Sequence, residues 1–278
     1  MIKRYHEAPL GVFKQVQQLT DGDYALVHLF ETNEKYLEAF KVAVASGRDV
    51  ILDNSIFELG TAFEGDKYVH WISELNPTWY IVPDCWKNGE VTTEMFFHFV
   101  NEYPQLEEKL KCRRIGVAQG WTVEEVTKCY KAIEPYCDMV AFNLDFSSIY
   151  YETLPECLSQ QQKEAMVPYC VAMSLGRHMV LTQLWQSGVI NVHKPHHLLG
   201  CGVPQEVMLY PRSWTWIRSI DTSNPVVAGI EHWVYDPIAG INKKSDKKLC
   251  NLIDMKIDDK DPTWYVIRGN IQKMQRWC

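Results

Sequence analysis

The stretch RDVILDNSIFELG (residues 48–60) places an acidic side chain directly after a short apolar run. The run itself, Val-Ile-Leu at positions 50–52, is closed by turn-forming residues, which is typical of a strand buried on both faces. Asp53 would then stand at the carboxyl end of this strand. A carboxylate there is costly to desolvate unless it is paired or functional, although an Asp-Asn-Ser sequence also commonly caps a following helix.

The same pattern recurs along the chain and decides the predicted fold. Besides residues 50–52, apolar runs predict strands over residues 24–30, 79–83, 113–118, 138–142, 197–200 and 218–221. Helical patterns separate these runs, and such alternation implies a parallel sheet with helical crossovers. An eighth strand is expected in residues 225–228 or near Tyr265, and residues 1–22 are expected to form an entry arm.

The strand count favours a closed (β/α)8 barrel over a doubly wound sheet. A doubly wound nucleotide-binding sheet would carry a G-x-G-x-x-G or P-loop motif, and the sequence contains neither. We therefore predict an α/β protein with one TIM-type barrel domain over residues 1–278, with an irregular insertion at residues 226–262. Helices are expected over residues 32–46, 66–75, 90–110, 122–136, 160–185, 205–216 and 262–277.

The composition is that of an ordinary globular domain, with 46% hydrophobic and 23% charged residues. The formal net charge of -7 argues against a strongly basic nucleic-acid coat but leaves room for a local basic patch. The cysteines show no C-x-x-C spacing and the first residues lack a signal-peptide pattern, so reduced thiols in the cytoplasm are expected. No apolar run approaches the roughly 20 residues of a membrane span, so no membrane partner is expected.

Polar residues stand at the ends of five predicted strands: Asp53, Asp84, Gln119, Asn143 and Asp221. In a barrel the carboxyl ends of the strands converge on one face, where barrel enzymes have their active sites. A single polar strand end is readily explained as a cap, but five at equivalent positions predict a site. Paired carboxylates without a metal-binding signature suit reaction at a sugar anomeric carbon, with one as nucleophile and another handling protons.

A ligand with a purine-like edge would suit the remaining polar groups. The amide of Gln119 can both donate to and accept from an exocyclic group, while the carboxylate of Asp84 accepts from ring and amino N–H groups. Gly200 and Gly202 would let the backbone approach a flat ligand closely. A barrel glycosidase or a phosphate-handling lyase is an alternative, as is a degenerate barrel that binds its ligand without turnover.

Five segments follow one another in a fixed order: LDNSIF (residues 52–57), VPDC (82–85), GVAQG (116–120), LLGCGVP (198–204) and IDTSNP (220–225). In this order they resemble the motif series of the tRNA-guanine transglycosylase superfamily. The similarity extends from about residue 24 to residue 230. The fold of that family is a (β/α)8 barrel, which agrees with the strand count.

The resemblance implies roles for particular residues. Asp221 matches the family nucleophile that attacks the ribose anomeric carbon, and Asp53 matches the general acid/base. Asp84 and Gln119 match the residues that read the edge of the heterocycle. The further substrate-binding positions are Asn143, where the family usually has glycine before a leucine, and, in the loop beside the base pocket, Leu199, Gly200 and Gly202.

Departures from the family pattern indicate a particular branch. The tRNA enzymes carry a zinc subdomain with C-x-C-x-x-C after the nucleophile, whereas residues 222–278 contain only Cys250 and Cys278, so we expect no metal and no cofactor. The LDNSIF segment also replaces the family's Asp-Ser-Gly-Gly-Phe, and the chain is shorter than the tRNA enzymes, with no appended RNA-binding domain. These traits resemble the compact, often phage-encoded branch that inserts a 7-deazaguanine base into DNA. Action on tRNA is the alternative.

A DNA or tRNA substrate would need basic side chains near the barrel mouth, where a flipped-out or single-stranded nucleotide must enter. The candidates are Arg212, Arg218, Lys243, Lys244, Lys247 and Lys248. A solvated loop is the alternative for the lysines. A second polar group, whose histidines are expected at a surface or an interface rather than on a metal, consists of Arg177, His178, His193, Lys194, His196 and His197.

Overall fold

The structure, a computed structural model, describes residues 1–106, 110 and 112–278. Within these residues, parallel strands close into an eight-stranded barrel in which each strand pairs with its neighbours in chain order. The strands are β1 (Lys3–Tyr5), β2 (Gly22–Leu26), β3 (Asp49–Asp53), β4 (Trp79–Ile81), β5 (Arg113–Ala118), β6 (Met139–Phe142), β7 (His196–Leu198) and β8 (Ile217–Asp221). The predicted α/β (β/α)8 barrel, formed as a single domain, is confirmed.

Helices connect the strands and cover the outside of the barrel. The α-helices of the described residues are α1 (Phe13–Gln17), α2 (Glu34–Ala45), α3 (Ile56–Leu59), α4 (Gly65–Leu75), α5 (Gly89–Glu102), α6 (Val123–Ile133), α7 (Ser147–Glu152), α8 (Gln160–Met166), α9 (Tyr169–Gln186), α10 (Asn224–Ile230) and α11 (Pro262–Trp277). Short 3-10 helices span Leu10–Val12, Val27–Glu31, Glu134–Tyr136, Pro204–Leu209 and Leu249–Leu252. None of the helices in these described ranges is long and apolar enough to cross a membrane.

The prediction of the eighth strand was wrong. The strand that completes the set of eight is the first in chain order, β1 (Lys3–Tyr5), within the segment expected to be an entry arm. Residues 225–228 lie in α10 instead, and Tyr265 lies in α11. β1 has only three residues, two of them basic, so it carries no apolar run. Its extended conformation comes from pairing on both sides, with Tyr5 aligned with Gly22 of β2 and with Asp221 of β8.

The helix predictions also need correction in places. The helix expected over residues 160–185 is divided into α8 and α9 at Pro168, because proline has no N–H to continue the first helix. The helix expected over residues 205–216 is a 3-10 segment that ends at Leu209. The insertion expected to be irregular begins inside α10. The helix expected over residues 90–110 ends at Glu102 as α5, and residues 107–109 of that prediction lie outside the described part.

The strand register brings the carboxyl ends to a common level. Ala118 of β5 aligns with Phe142 of β6, Phe142 aligns with Leu198 of β7, and Leu198 aligns with Ile220 of β8. The residue after each of these therefore lies at the same height on the barrel. These following residues are Gln119, Asn143, Leu199 and Asp221.

Candidate active site

A cavity of about 620 Å³ opens at the carboxyl ends of the strands. The five strand-end residues predicted from the sequence all line it and are all buried: Asp53, Asp84, Gln119, Asn143 and Asp221. Leu199 and Gly200 line it as well. The structure therefore brings together most of the residues that the sequence singled out.

Three of the predicted residues do not belong to this cavity's lining. Gly202 packs against α9 instead, where a Cβ would lie 2.1 Å from the carbonyl oxygen of Cys170, so its lack of a side chain serves helix packing. Arg212 and Arg218 line a different cavity, beside Met1 and Cys278. Arg218 lies near the amino end of β8, so that cavity is at the opposite end of the barrel from Asp221.

Asp221 is held through only one of its carboxylate oxygens. Its Oδ1 accepts hydrogen bonds from Nε2 of His197 and from the backbone N–H of Gly200, each at 2.9 Å. No hydrogen bond from any described residue reaches Oδ2. The side chain is only 4% exposed and it lines the cavity, so Oδ2 is the oxygen available to a ligand.

Asp53 is buried at the end of β3 in surroundings that favour its protonated form. Burial, and then the nearby charges of Glu58 and Asp221, hold the pKa of Asp53 well above its usual range. Its Oδ2 accepts a hydrogen bond of 2.9 Å from the backbone N–H of Ser55, which opposes that shift. Ser55 itself has a positive φ of 59°, an unfavourable conformation for serine.

Two glutamates that the sequence analysis did not select also line the cavity. Glu58 is partly exposed, but its Oε2 is buried without a hydrogen-bond partner, and burial raises its pKa to about 7. Glu7 follows β1, and burial together with the charges of neighbouring carboxylates, Glu58 first, raises its pKa well above the usual range. Glu58 stands inside the stretch RDVILDNSIFELG (residues 48–60) and was available to sequence reasoning, whereas Glu7 was missed because β1 was missed.

Asp84 and Gln119 form a fixed pair on one wall. Oδ2 of Asp84 accepts from Nε2 of Gln119 at 2.7 Å, and Oδ1 accepts from Nδ2 of Asn54, also at 2.7 Å. The backbone N–H of Lys87 donates to Oε1 of Gln119 at 2.9 Å, which sets the orientation of the glutamine amide. Burial raises the pKa of Asp84, and its two amide donors act in the opposite direction.

A buried ion pair joins the loops that follow β4 and β6. Nζ of Lys87 lies 2.6 Å from Oδ2 of Asp145, and the hydroxyl group of Tyr169 donates to the same oxygen at 2.5 Å. Burial alone would raise the pKa of Asp145, but hydrogen bonds from Lys87, Ser147 and Tyr169 outweigh it and lower the pKa. The adjacency of Asp145 to the end of β6 was the only sequence signal for this pair.

The expectation that the histidines grouped with Arg177 lie at a surface was wrong for two of them, His196 and His197. Arg177, His196 and His197 are all 0% exposed. Arg177 pairs with Glu206 at 2.7 Å and donates to the carbonyl oxygens of Leu199 and Gly200 at 2.6 and 2.7 Å. It therefore fixes the loop after β7, whose Gly200 contacts Asp221.

The side-chain amide nitrogen of Asn143 is buried without a hydrogen-bond acceptor among the described residues. Asn143 as a whole is 1% exposed. A buried N–H without an acceptor costs about 1–3 kcal/mol relative to a paired one. An acceptor atom of a bound ligand or of an ordered water molecule would relieve this cost.

The four lysines of residues 243–248 line the same cavity, at its mouth. Nζ of Lys243 lies 3.6 Å from the ring centre of Trp233, and Nζ of Lys248 donates to the carbonyl oxygen of Phe57 at 3.1 Å. Lys247 pairs with Glu231 at 2.5 Å. The segment is thus positioned by specific contacts, rather than being only a solvated loop. Phe57 and Trp86, with ring centres 5.7 Å apart, add an aromatic wall beside it.

Fold and site together define an eight-stranded parallel barrel protein with a polar, carboxylate-rich cavity at the carboxyl ends of its strands. That is the end of the barrel at which barrel enzymes have their active sites. No protein-family model matches the chain, and no curated protein matches it at a significant level. Across the described ranges, no group of three or more His, Cys, Asp or Glu side chains is arranged to hold a metal ion.

Proposed function

We propose that the protein is a base-exchange transglycosylase that replaces guanine in DNA with a 7-deazaguanine derivative through a covalent glycosyl-enzyme. The observation that carries the proposal is the meeting of Asp53, Asp84, Gln119, Asn143 and Asp221 in one cavity. These are the residues to which the motif resemblance assigns a role. Their convergence is expected of an active site and is not expected of five unrelated caps.

The chemistry consists of two displacements at the anomeric carbon. Oδ2 of Asp221 gives an electron pair to that carbon, the bond to guanine breaks, and the departing ring nitrogen keeps the bonding pair and takes a proton from the carboxyl group of Asp53. The incoming base then loses its ring N–H proton to Asp53 and attacks the same carbon, which returns the electron pair to Asp221. Two inversions give net retention of configuration.

The raised pKa of Asp53 supports its role, because a general acid must hold a proton at the working pH. Asp84 and Gln119 would read the edge of the base. Gln119 still has one amide hydrogen and Asp84 still has free lone pairs after their mutual bond, so each can meet a ligand. Phe57 and Trp86 provide aromatic surface on which a flat base can pack.

The choice of DNA as the polymer rests on the sequence rather than on the cavity. The lysines at the mouth suit the phosphates of either polymer. DNA is favoured because two traits resemble those of the DNA-modifying branch. They are the LDNSIF segment (residues 52–57) and the lack of a C-x-C-x-x-C cluster in residues 222–278. Action on tRNA, and binding of a base or nucleic acid without turnover, are the alternatives.

Incubation of the protein with labelled guanine or 7-deazaguanine and either duplex DNA or tRNA tests the proposal. Label entering DNA supports it, and label entering tRNA alone supports the RNA alternative. Asp221→Ala should fold, since it replaces a side chain at a cavity wall, yet incorporate no label and form no covalent adduct with the polymer. Full activity of Asp221→Ala would end the proposal, and binding without incorporation by the wild type would favour the non-catalytic alternative.

A further inference from the structure

His197 of β7 projects into the interior of the barrel beneath the cavity. Its ring lies nearly parallel to that of Tyr24, with 6.3 Å between centres and 9° between planes, and meets the ring of Tyr5 edge-on at 6.1 Å. Tyr24 and Tyr5 belong to β2 and β1, neither of which pairs with β7. The imidazole therefore reaches across the barrel interior, where it is fully buried.

Both ring nitrogens of His197 have partners on β8. Nε2 lies 2.9 Å from Oδ1 of Asp221, and Nδ1 lies 2.8 Å from Oγ of Ser219. An ionised carboxylate can only accept hydrogen bonds, so Nε2 must carry a proton and donate it. In the neutral ring Nδ1 then accepts from the Ser219 hydroxyl, and the two contacts together fix the tautomer and the ring orientation.

A β-bulge makes this arrangement geometrically possible. His196 aligns with Ile217 and His197 aligns with Ser219, so β8 contributes one residue more than β7 at this point. Bulges commonly re-aim a side chain beside a functional site. Ser219 and Asp221 are two positions apart on one strand and therefore face the same side, toward His197.

We propose that His197 is a positioning residue for Asp221, an inference that rests on the proposed base-exchange function. With the N–H of Gly200 it occupies Oδ1 from two directions, which leaves Oδ2 as the only oxygen free to bond to the sugar. Oδ1 becomes the carbonyl oxygen of the glycosyl ester when Oδ2 attacks. It regains charge when the incoming base breaks the ester bond, so the same two donors stabilise the departing carboxylate.

The tautomer can be tested without any assay of base exchange. Proton–nitrogen NMR of histidine-labelled protein should show the His197 proton on Nε2. That tautomer should be kept in Ser219→Ala, which leaves Asp221 in place, and should lose its single-tautomer character in Asp221→Ala. A His197 ring that lacks a proton on Nε2 in the wild type would overturn the proposal. This result is independent of turnover, so it stands or fails separately from the proposed function.

Kinetics of two His197 variants then test the positioning role. His197→Leu removes the donor, and we expect kcat and the single-turnover rate of adduct formation to fall on the order of 100-fold, with KM for the base almost unchanged. His197→Gln keeps one donor and one acceptor on a side chain of similar reach, so it should recover most of the rate.

Wild-type kcat in a folded His197→Leu protein, or a loss confined to KM, would contradict the positioning role. If His197→Leu does not fold, Ser219→Ala takes its place, with a several-fold lower kcat expected and an unchanged kcat counting against the proposal. A wild type that exchanges no base refutes the proposed function, and the NMR result still decides whether His197 orients Asp221.

Discussion

The carboxylate of Asp84 and the amide of Gln119 hydrogen-bond to each other on one wall of the barrel cavity, with 2.7 Å between Oδ2 and Nε2. Both side chains are nearly inaccessible to solvent, at 2% and 1% exposed. The pair is therefore formed before any ligand arrives, and a ligand adds to it rather than assembling it. Such preorganisation reduces the conformational cost of binding.

Gln119→Leu should destabilise the protein and weaken base binding. The substitution leaves Oδ2 of Asp84 and the N–H of Lys87 without partners, and each buried unpaired group costs about 1–3 kcal/mol. Urea unfolding and calorimetric titration with guanine measure the two effects. Gln160→Leu, which changes an exposed glutamine in α8, is the matched control and should alter neither. Unchanged stability of Gln119→Leu would show that the pair is not formed.

Glu58→Gln should stabilise the protein at high pH. Burial raises the pKa of Glu58 from 4.5 to about 7, so the folded state holds a proton between these values that the unfolded state has lost. Wild-type stability therefore falls as pH rises from about 4.5 to 7, and the variant avoids this loss, which amounts to at most about 3 kcal/mol. Thermal unfolding should show a higher Tm for the variant at pH about 8 and equal Tm values at pH about 4.

The matched control for Glu58→Gln is Glu94→Gln, at an exposed position of α5. It should leave the Tm difference from wild type small and constant across the pH range. If Glu58→Gln and Glu94→Gln gave parallel curves, the buried carboxyl of Glu58 would not be the cause of the pH dependence.

The sequence predicted the strands whose own residues show a strand pattern, and it missed β1, whose conformation depends on pairing with β2 and β8. β5 was predicted at its observed bounds because Ile-Gly-Val-Ala at positions 115–118 forms an apolar run after its two arginines. β1 has two basic residues and one tyrosine, so its strand conformation depends on the edges of β2 and β8 that it completes. Because Glu7 follows β1, this cavity carboxylate was missed together with the strand.

Polar residues in the interior were misjudged for a related reason. Nothing in the sequence indicates that Arg177 and His197 are buried, since their partners, Glu206 and Asp221, lie more than twenty positions away along the chain. A charged or polar side chain is buried without a large energetic cost only when such partners pair with it. Those partners are brought close by the tertiary fold, so the local sequence does not show them. The misplacement of Arg218 was avoidable, because a residue three positions before Asp221 on a strand lies about 10 Å toward the other end of the barrel.

Arg177→Met should be among the most destabilising substitutions outside the cavity. It leaves the carboxylate of Glu206 buried without its cation and removes donors from the carbonyl groups of Leu199 and Gly200. Breaking a buried pair in this way costs about 3–5 kcal/mol. The double variant Arg177→Met/Glu206→Leu should cost less than the sum of the two single variants, as measured by urea unfolding in a double-mutant cycle.

The exposed pair of Glu124 and Lys128 on α6 provides the comparison for that cycle. Lys128→Met should leave the free energy of unfolding nearly unchanged, because surface ion pairs contribute little. Strict additivity of the Arg177 and Glu206 substitutions would show that the two side chains do not interact.

Neutralising the lysines at the cavity mouth should reduce the salt dependence of nucleic-acid binding. Each phosphate contact with duplex DNA contributes about 0.9 to the slope of log K against log salt, so replacing Lys243, Lys244, Lys247 and Lys248 with glutamine should lower the slope by up to about 3.6. The control is Arg212→Gln/Arg218→Gln, which removes the same type of charge at the opposite end of the barrel. The slope should stay at the wild-type value in that control, because a strand engaged at the carboxyl-end cavity does not reach it. An unchanged slope in the lysine variant, or a reduced slope in the arginine control, would mean that the polymer binds elsewhere on the surface.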